Sequence, residues 1–415
     1  MATPAVPLWR NREFTLLWSS QVISTVGTRV TSVAYPLLVL LLTGSPALAG
    51  VVGFAQTLPF LLLYLPGGAW VDRWDRRRTM VACEIGRMVA LGSIAVTALV
   101  GGVHAISIAQ LVVVAFIEGS LFVLFDLCEG AALPRLVPAG QLPTAVAWNQ
   151  ARTQGADLVG QPLGGLLFAI APALPFAFDS VSYLVSGGAV AAIRTRLQGE
   201  RAATAERLRT RIAEGVRFVR RSAFLREMVV IVGWMNLVFN GTFLVLIVRA
   251  QRLGGSPGQI GLMLAAYGLG GILGAIAAPT LQRRLSGRFV LVTIAWLWTA
   301  LGIALAFAPS LVWLAVLVFV LNLFGAPYNV VIAARMYQLV PEQIFGRVRS
   351  VGRIVAWGTI PIGTLLGGLL ADRLGAGPAL LVLGLGMVPI AIASTISPGM
   401  RSIDDPVSEP VGQPA

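Results

Sequence analysis

A short basic turn joins two long apolar runs in the first quarter of the chain. The turn, at residues 68–78, carries two aspartates and four arginines, and the flanking apolar runs cover residues 48–70 and 80–100. Each run is long enough to cross the roughly 30 Å hydrocarbon layer of a bilayer as an α-helix. The pattern predicts a transmembrane hairpin whose arginines place the turn on the cytoplasmic side.

Composition supports a membrane protein independently of this turn. The 415 residues are 56% hydrophobic and only 12% charged, whereas soluble domains contain about 25% charged residues. The net charge of +13 comes from arginines spread over short turns, so it predicts contact with the lipid bilayer and no nucleic-acid partner. The two cysteines, Cys83 and Cys128, have no metal or redox spacing, so we expect no metal and no cofactor.

The apolar runs predict an all-α integral membrane protein with twelve transmembrane helices, at about 20 residues per crossing. The predicted spans are 14–42, 48–70, 79–101, 106–127, 142–168, 174–193, 228–248, 259–280, 289–307, 310–332, 348–371 and 378–396. Arginines are concentrated in the turns after even-numbered spans, which predicts that both termini are cytoplasmic. The polar start and the long first run predict no cleaved signal peptide.

The chain also contains an internal repeat. The sequence Leu-Val-Pro at residues 136–138 and Gly-Gly-Leu-Leu at 164–167 recur at 339–341 and 367–370, displaced by 203 residues in both cases. The repeat predicts two similar six-helix bundles related by an axis along the membrane normal.

The longest charged stretch lies between these halves. We expect an N-terminal bundle at 1–193, a cytoplasmic amphipathic linker at 194–227, a C-terminal bundle at 228–396 and a cytoplasmic tail at 397–415. Within the linker, apolar residues recur at helical spacing: Leu208, Ile212, Val216 and Val219. They predict a helix on the inner leaflet, with a solvated linker as the alternative.

The spacing Gly-x3-Asp-Arg-x2-Arg-Arg in the basic turn resembles the signature loop of the Major Facilitator Superfamily of secondary transporters, with Asp75 in place of the usual glycine. Segments at 125–138, 214–218 and 346–348 resemble the branch containing macrolide-efflux and enterobactin-exporter proteins. The resemblance covers about residues 10–396. It implies a bacterial cell-membrane transporter, acting as a monomer, with a small organic substrate and protons as partners.

The resemblance implies a gating role for the basic turn. The residues concerned are Gly68, Asp72, Arg73, Arg76, Arg77, Glu84 and Arg87. We expect Asp72 to face the N-terminal end of span 11 near Arg347 while the cytoplasmic side is closed. Glu84 and Arg87, three residues apart, are expected to form a local pair that braces the turn. The alternative is that these charges only set topology.

Charged residues inside apolar spans are candidates for proton coupling, since a central charge costs about 2.5–3.5 kcal/mol on insertion scales. The candidates are Arg29, Glu118, Arg152, Asp157 and Asp179. Partial desolvation favours the neutral form of a carboxyl group, which allows proton exchange near neutral pH. Glu118 is the leading candidate because it lies in the middle of span 4; the alternative is a structural pair with Arg29 or Arg152. Arg152 and Asp157 lie roughly 140° apart around the helix and are not expected to pair.

Span 5 carries a glycine-rich motif that resembles the antiporter signature of exporters. It consists of Gly155, Gly160, Pro162, Gly164 and Gly165, with Gln161 in the usual proline position. Small residues allow close helix packing, and proline bends a helix. A plain packing face explains the same residues.

In the family that this chain resembles, spans 1, 4, 7 and 10 usually line the substrate cavity. Here they offer Gln21, Ser24, Tyr35, Phe116, Phe122, Trp234, Asn236, Asn240, Asn322 and Asn329. Aromatic and amide side chains suit a bulky amphipathic organic molecule.

These observations favour secondary active efflux of a drug, antibiotic or secondary metabolite, coupled to protons and working by alternating access. The alternatives are a siderophore exporter and a solute importer. An enzyme is disfavoured, since His104 is the only histidine and no phosphate-binding Gly-x4-Gly-Lys loop occurs. A sensor is disfavoured because the tail at 397–415 is too short for an output domain.

Overall fold

The computed structural model describes residues 7–198 and 208–404, and it leaves the side chains at 208–212 and 342–343 undescribed. Every regular element in these ranges is helical, and no strand occurs in them. The all-α fold class predicted from the apolar runs is confirmed.

The N-terminal half contains six long helices. They are α1 (Arg12–Thr43), α2 (Pro46–Val71), α3 (Arg76–Gly101), α4 (Ile108–Leu136), α5 (Leu142–Ile170) and α6 (Leu174–Ala191). Side chains of the residues preceding α1 to α4 cap the first turns: Asn11, Ser45, Asp75 and Ser107. Each accepts a hydrogen bond from a backbone N–H that the helix itself leaves unpaired.

The C-terminal half begins with an amphipathic helix and continues with shorter pieces. The helices are α7 (Leu208–Arg221), α8 (Ala223–Arg252), α9 (Pro257–Arg284), α10 (Gly287–Phe307), α11 (Leu311–Leu323), α12 (Gly325–Leu339), α13 (Glu342–Gly358), α14 (Ile360–Leu374), α15 (Ala376–Leu385), α16 (Val388–Ile396) and α17 (Pro398–Arg401). Predicted spans 10, 11 and 12 are therefore each interrupted, a correction to the continuous helices expected. Pro327, Pro361 and Pro389 stand near the start of the second pieces, where proline cannot continue a preceding hydrogen-bond ladder.

Eleven segments in the described part of the chain are long and apolar enough to cross a membrane. The remaining predicted span corresponds to α5, which has 29 residues but is more polar because it carries Arg152, Asp157 and several amides. The α4 helix runs to Leu136, well beyond the predicted end at residue 127.

The chain divides into two compact units. Unit 1 comprises Met1–Ala202 and Gly254–Ala265, and unit 2 comprises Ala203–Leu253 and Ala266–Ala415. The first residues of α9 therefore belong with unit 1, where they contact α5. The bundle boundaries at 193 and 228 remain a prediction.

The repeat of 203 residues extends to helix packing. In unit 1, Gly164 of α5 lies so close to α1 that an added Cβ would be 2.5 Å from the Val30 carbonyl oxygen. In unit 2, Gly367 of α14 stands in the same relation to α8, where an added Cβ would be 2.4 Å from the Gly241 carbonyl oxygen. Glycine at both places is required because the two backbones touch. We call these contacts the glycine joints.

The α7 helix forms within the predicted linker and packs on α13 in unit 2. Val219 is buried against the protein and Val216 is exposed, while Gly215 lies against the Arg347 carbonyl. The placement of this helix on the inner leaflet remains a prediction. Glu214 forms an ion pair with Arg347. The side chains of Leu208 and Ile212 lie outside the described residues.

Candidate functional site

A buried arginine stands at the centre of a polar network in unit 1. Arg87 on α3 is 2% exposed, and its Nη2 atom lies 3.2 Å from Glu118 Oε1 on α4. The same nitrogen donates to the Tyr183 hydroxyl on α6 and, at 3.2 Å, to Thr28 Oγ1 on α1. The guanidinium carbon lies 3.9 Å from the centre of the Tyr183 ring, a cation–π contact. Four helices therefore converge on one guanidinium group.

Glu118 is held on its other side by α2. Its Oε2 atom accepts a 2.7 Å hydrogen bond from Gln56 Nε2. The neighbouring Gly119 allows this approach, since a Cβ there would be 1.9 Å from the Gln56 carbonyl oxygen. The expected alternative of a pair with Arg29 or Arg152 is wrong: the partner is Arg87, because α3 and α4 are adjacent helices.

Glu84 extends the network along α3. Its Oε1 atom accepts hydrogen bonds from Ser186 Oγ at 2.7 Å and Gln21 Nε2 at 3.2 Å, while its Oε2 atom lies 3.8 Å from Arg87. The Glu84–Arg87 pair expected from sequence therefore exists. It lies in the interior of the bundle, however, and does not brace the basic turn, because both side chains point into the unit and are at most 2% exposed.

Asp179 is the third buried carboxyl group. Its two oxygens accept 2.9 Å hydrogen bonds from Thr31 Oγ1 and Ser182 Oγ. Asp179, Glu84 and Glu118 are each at most 2% exposed, and Arg87, which pairs with Glu84 and Glu118, is the one buried arginine among the described residues of unit 1. Full ionisation would leave an excess of two buried negative charges, and uncompensated buried charge is strongly unfavourable.

The remaining proton-coupling candidates form two separate ion pairs. Arg29 Nε on α1 lies 2.7 Å from Asp157 Oδ1 on α5, with side chains 35% and 10% exposed. Arg152 Nη1 on α5 lies 2.7 Å from Glu129 Oε1 on α4. Arg152 and Asp157 thus have different partners, in line with their angular separation.

The basic turn is tied to neighbouring helix ends. Arg76 Nη1 donates to the Ala131 and Leu197 carbonyls, at 3.0 Å each, and Arg77 Nη1 donates to the Ile193 carbonyl at 2.8 Å. These bonds connect the start of α3 to the last residues of α4 and to the segment after α6.

Asp72 follows the last turn of α2, where its backbone N–H bonds the Gly68 carbonyl. Its carboxylate is 77% exposed and lies 3.7 Å from Arg76, while Arg73 is exposed. Asp75 caps α3 by accepting from the Arg78 N–H at 2.9 Å, which gives the departure from the family pattern a structural reason. The gating role of this turn remains a prediction.

The glycine-rich motif of α5 makes contacts on two sides. Gly160 and Gly164 face α1, whereas Gly165 faces α9, where an added Cβ would be 2.2 Å from the Pro257 carbonyl oxygen. Gly261 of α9 in turn lies against Pro162. Gly155 has open space beside it.

The structure places the three cavity candidates on α1 in the interior of unit 1. Gln21, Ser24 and Tyr35 are at most 4% exposed, because this face of α1 packs inside unit 1. The Tyr35 ring packs edge-on against Phe176 with ring centres 5.2 Å apart. Phe122 packs on Phe60 of α2 with ring centres 5.6 Å apart.

Other cavity candidates remain accessible. Phe116 is 39% exposed and Trp234 is 44% exposed, although the Trp234 indole donates to the Gly386 carbonyl at 2.7 Å. Amide groups of the set donate to backbone carbonyls as follows: Asn236 to Val232, Asn240 to Asn236 and Asn322 to Tyr267. Asn329 is exposed.

Sequence reasoning missed several members of the network. Gln56 donates a hydrogen bond to Glu118, and Tyr183 accepts one from Arg87. Glu129 pairs with Arg152. Gln56 stands out as an amide within an apolar run, which is a usable signal. Glu129 lies two residues beyond the predicted end of span 4 at residue 127, so it is not among the sequence candidates.

Comparison with known proteins identifies the group to which this architecture belongs. A family model described as a transmembrane secretion effector matches residues 2–411. The chain belongs to this family. The resemblance to the Major Facilitator Superfamily read from the basic turn is thereby confirmed.

Named relatives and a solved structure are consistent with this family and this fold. The chain is similar to the multidrug efflux pump Tap of Mycolicibacterium fortuitum, with 29% identity over 394 residues, 91% of this chain and 94% of that protein. It is 22% identical over 406 residues to macrolide efflux protein A of Streptococcus pyogenes, covering 95% and 98%. The fold matches the nucleoside transporter NupG with a TM-score of 0.74 at 12% identity, covering 92% and 98%. The chain is a multi-pass transporter of the bacterial cell membrane.

Proposed function

We propose that this transporter exports bulky organic compounds, such as drugs or antibiotics, in exchange for protons and by alternating access. The named functions of Tap and macrolide efflux protein A support export of compounds of this kind. One chain contains both predicted bundles, 1–193 and 228–396, which supports a monomer as the transporting unit. The chemistry is transport and not covalent catalysis.

The observation that carries proton coupling is the excess of buried acid around Arg87. Glu118 is the proposed proton carrier because it belongs to this network and bonds both Arg87 and Gln56. When Glu118 is protonated, its attraction to the Arg87 charge weakens, and the four helices that meet at Arg87 lose part of their common contact. Proton binding is thus linked to helix arrangement, as exchange transport requires.

The test uses purified protein in liposomes with an imposed pH gradient and a panel of labelled drugs and antibiotics. Glu118→Gln keeps the size and the acceptor oxygen of the side chain but cannot ionise. It should bind substrate and lose accumulation against a gradient, together with the pH dependence of transport. A charge moved across 100 mV is worth about 2.3 kcal/mol, equivalent to a roughly fifty-fold gradient, so the effect is measurable.

Glu13→Gln is the matched control. Glu13 accepts hydrogen bonds from backbone N–H groups of Arg194 and Thr195 near the helix ends, outside the network. This variant should pump like the original protein. Uphill, pH-dependent pumping by Glu118→Gln at normal abundance would transfer the carrier role to another carboxyl group, and pumping that ignores the pH gradient in the unmodified protein would overturn proton exchange.

A further inference from the structure

Three contacts with equal sequence separation join α2 and α4. Gln56 Nε2 donates to Glu118 Oε2 at 2.7 Å, the rings of Phe60 and Phe122 lie 5.6 Å apart, and the Tyr64 hydroxyl donates to Asp126 Oδ2 at 2.8 Å. In each pair the second residue is 62 positions after the first. We call this arrangement the α2–α4 ladder: a polar rung, an aromatic rung and a second polar rung.

The ladder belongs to a line of acidic groups along α4. Glu118, Asp126 and Glu129 lie within about 80° of one another around the helix. The rise of 1.5 Å per residue puts Asp126 about 12 Å from Glu118 along the axis, and Glu129 about 4.5 Å further. Asp126 and Glu129 thus stand between Glu118 and the arginine-bearing end of α4, where Arg76 bonds the Ala131 carbonyl.

The aromatic rung separates the two polar rungs. An axial distance of about 12 Å is too long for direct proton transfer, which requires donor and acceptor within about 3.2 Å or a connecting water. Phe60 and Phe122 offer no hydrogen-bonding group to such water. Phe122 also lies 5.5 Å from the Arg87 guanidinium carbon, measured to the ring centre, so the aromatic rung borders the Arg87 network directly.

We infer that Asp126 is the station from which protons leave Glu118 for the cytoplasm, and that the Phe60–Phe122 rung is the seal between the two carboxyl groups. This inference rests on the proposed proton exchange. In the step, the O–H bond at Glu118 breaks, water carries the proton past the opened rung, and an O–H bond forms at Asp126. Glu118 is left as the carboxylate beside Arg87, and Asp126 then releases the proton to water.

Other charged and titratable groups surround this path. Arg87 and Glu84 approach from α3, Tyr183 and Asp179 from α6, and Arg152 from α5. Tyr64 faces Asp126 from α2. Arg152 is paired with Glu129, which makes Asp126 the carboxyl group between the two arginine-bound acids of α4.

The first experiment uses Asp126→Asn in the full-length protein, reconstituted in liposomes. Asparagine retains an acceptor oxygen for the Tyr64 hydroxyl, so a purely structural role would be preserved. We expect pH-driven substrate transport to fall by on the order of 100-fold, the lower range for loss of a positioned proton-transfer group. Substrate exchange at equal pH on both sides should stay near the original rate, and Asp126→Glu should restore pH-driven transport.

The second experiment tests the seal without any substrate. A pH-sensitive dye inside the liposomes reports passive proton entry under an imposed gradient. Phe60→Ala should increase this leak, Phe60→Leu should not because it keeps apolar bulk, and combining Phe60→Ala with Asp126→Asn should reduce the leak again.

The outcomes separate two failures. Normal pH-driven transport by Asp126→Asn, alongside loss of pumping in Glu118→Gln, would overturn the inference and leave proton exchange intact. An unchanged leak in Phe60→Ala would overturn the seal. Absence of pH-driven transport in the unmodified protein would overturn both the proposed function and the inference.

Discussion

The two units differ in the side chains that fill their interiors at corresponding helices. In unit 1, Arg87 of α3 contacts Thr28 of α1. In unit 2, Trp298 of α10 contacts Phe239 of α8, with ring centres 5.3 Å apart, and also packs on Tyr328 of α12 at 4.9 Å. A charged, hydrogen-bonded cluster in one unit thus has an aromatic cluster as its counterpart in the other.

The glycine joints show that these positions correspond. The residues that meet the joints, Val30 in unit 1 and Gly241 in unit 2, are 211 positions apart. Thr28 and Phe239 have the same separation, as do Arg87 and Trp298. Among the described residues of unit 2, Arg335 is the one buried charged side chain, whereas unit 1 buries several carboxylates. Buried charged side chains are therefore concentrated in unit 1.

The largest effect should follow removal of the central cation. Arg87→Met leaves Glu84 and Glu118 without their arginine, and breaking a buried pair costs about 3–5 kcal/mol. Thermal unfolding in detergent should show this loss, and lowering the pH should recover part of it by neutralising the carboxylates. Arg288→Met, at an exposed position of α10, is the control and should unfold like the original protein. An Arg87→Met variant of normal stability would mean that unit 1 does not depend on its charges.

The close glycine contacts one helical turn before each joint, at Gly160 and Gly363, should be equally sensitive in both units despite their different interiors. Gly160→Ala would put a Cβ 2.8 Å from the Val26 carbonyl oxygen, and Gly363→Ala would put one 2.1 Å from the Leu237 carbonyl oxygen. Overpacking of this kind costs about 1–3 kcal/mol. Gly155→Ala, which has open space, is the matched control and should be neutral or slightly stabilising. Tolerance of alanine at only one of these two positions would show that the two units are not equivalent in packing.

The smallest expected effect concerns Asp75, the residue of the basic turn that caps the start of α3 in unit 1. Asp75→Ala removes the acceptor for the Arg78 N–H and should cost about 1 kcal/mol, whereas Asp75→Gly should cost only a few tenths. Unfolding midpoints of the two variants provide the measurement. Equal midpoints for Asp75→Ala and the original protein would show that the cap contributes nothing.

The sequence was sufficient to predict the helical class, most spans and the repeat, because lipid demands long apolar helices and the repeat is explicit. It also pointed to Glu118, since a carboxyl group in an apolar run is conspicuous. The partner of Glu118 could not be predicted from the sequence. Arg87 is 31 residues away, and only the lateral packing of α3 on α4 brings the two side chains together. Glu84 was likewise assigned to the turn because periodicity does not reveal how deeply a helix is buried.

The glycine joints have a consequence for how such transporters diversify. Each joint is a contact of backbone with backbone, so the distance between its helices does not depend on which side chains fill the rest of the bundle. The buried charges of unit 1 and the aromatic rings of unit 2 thus lie between helices that are held by the same kind of contact. Side chains in the interior of one half can therefore change without altering the helix spacing in either half.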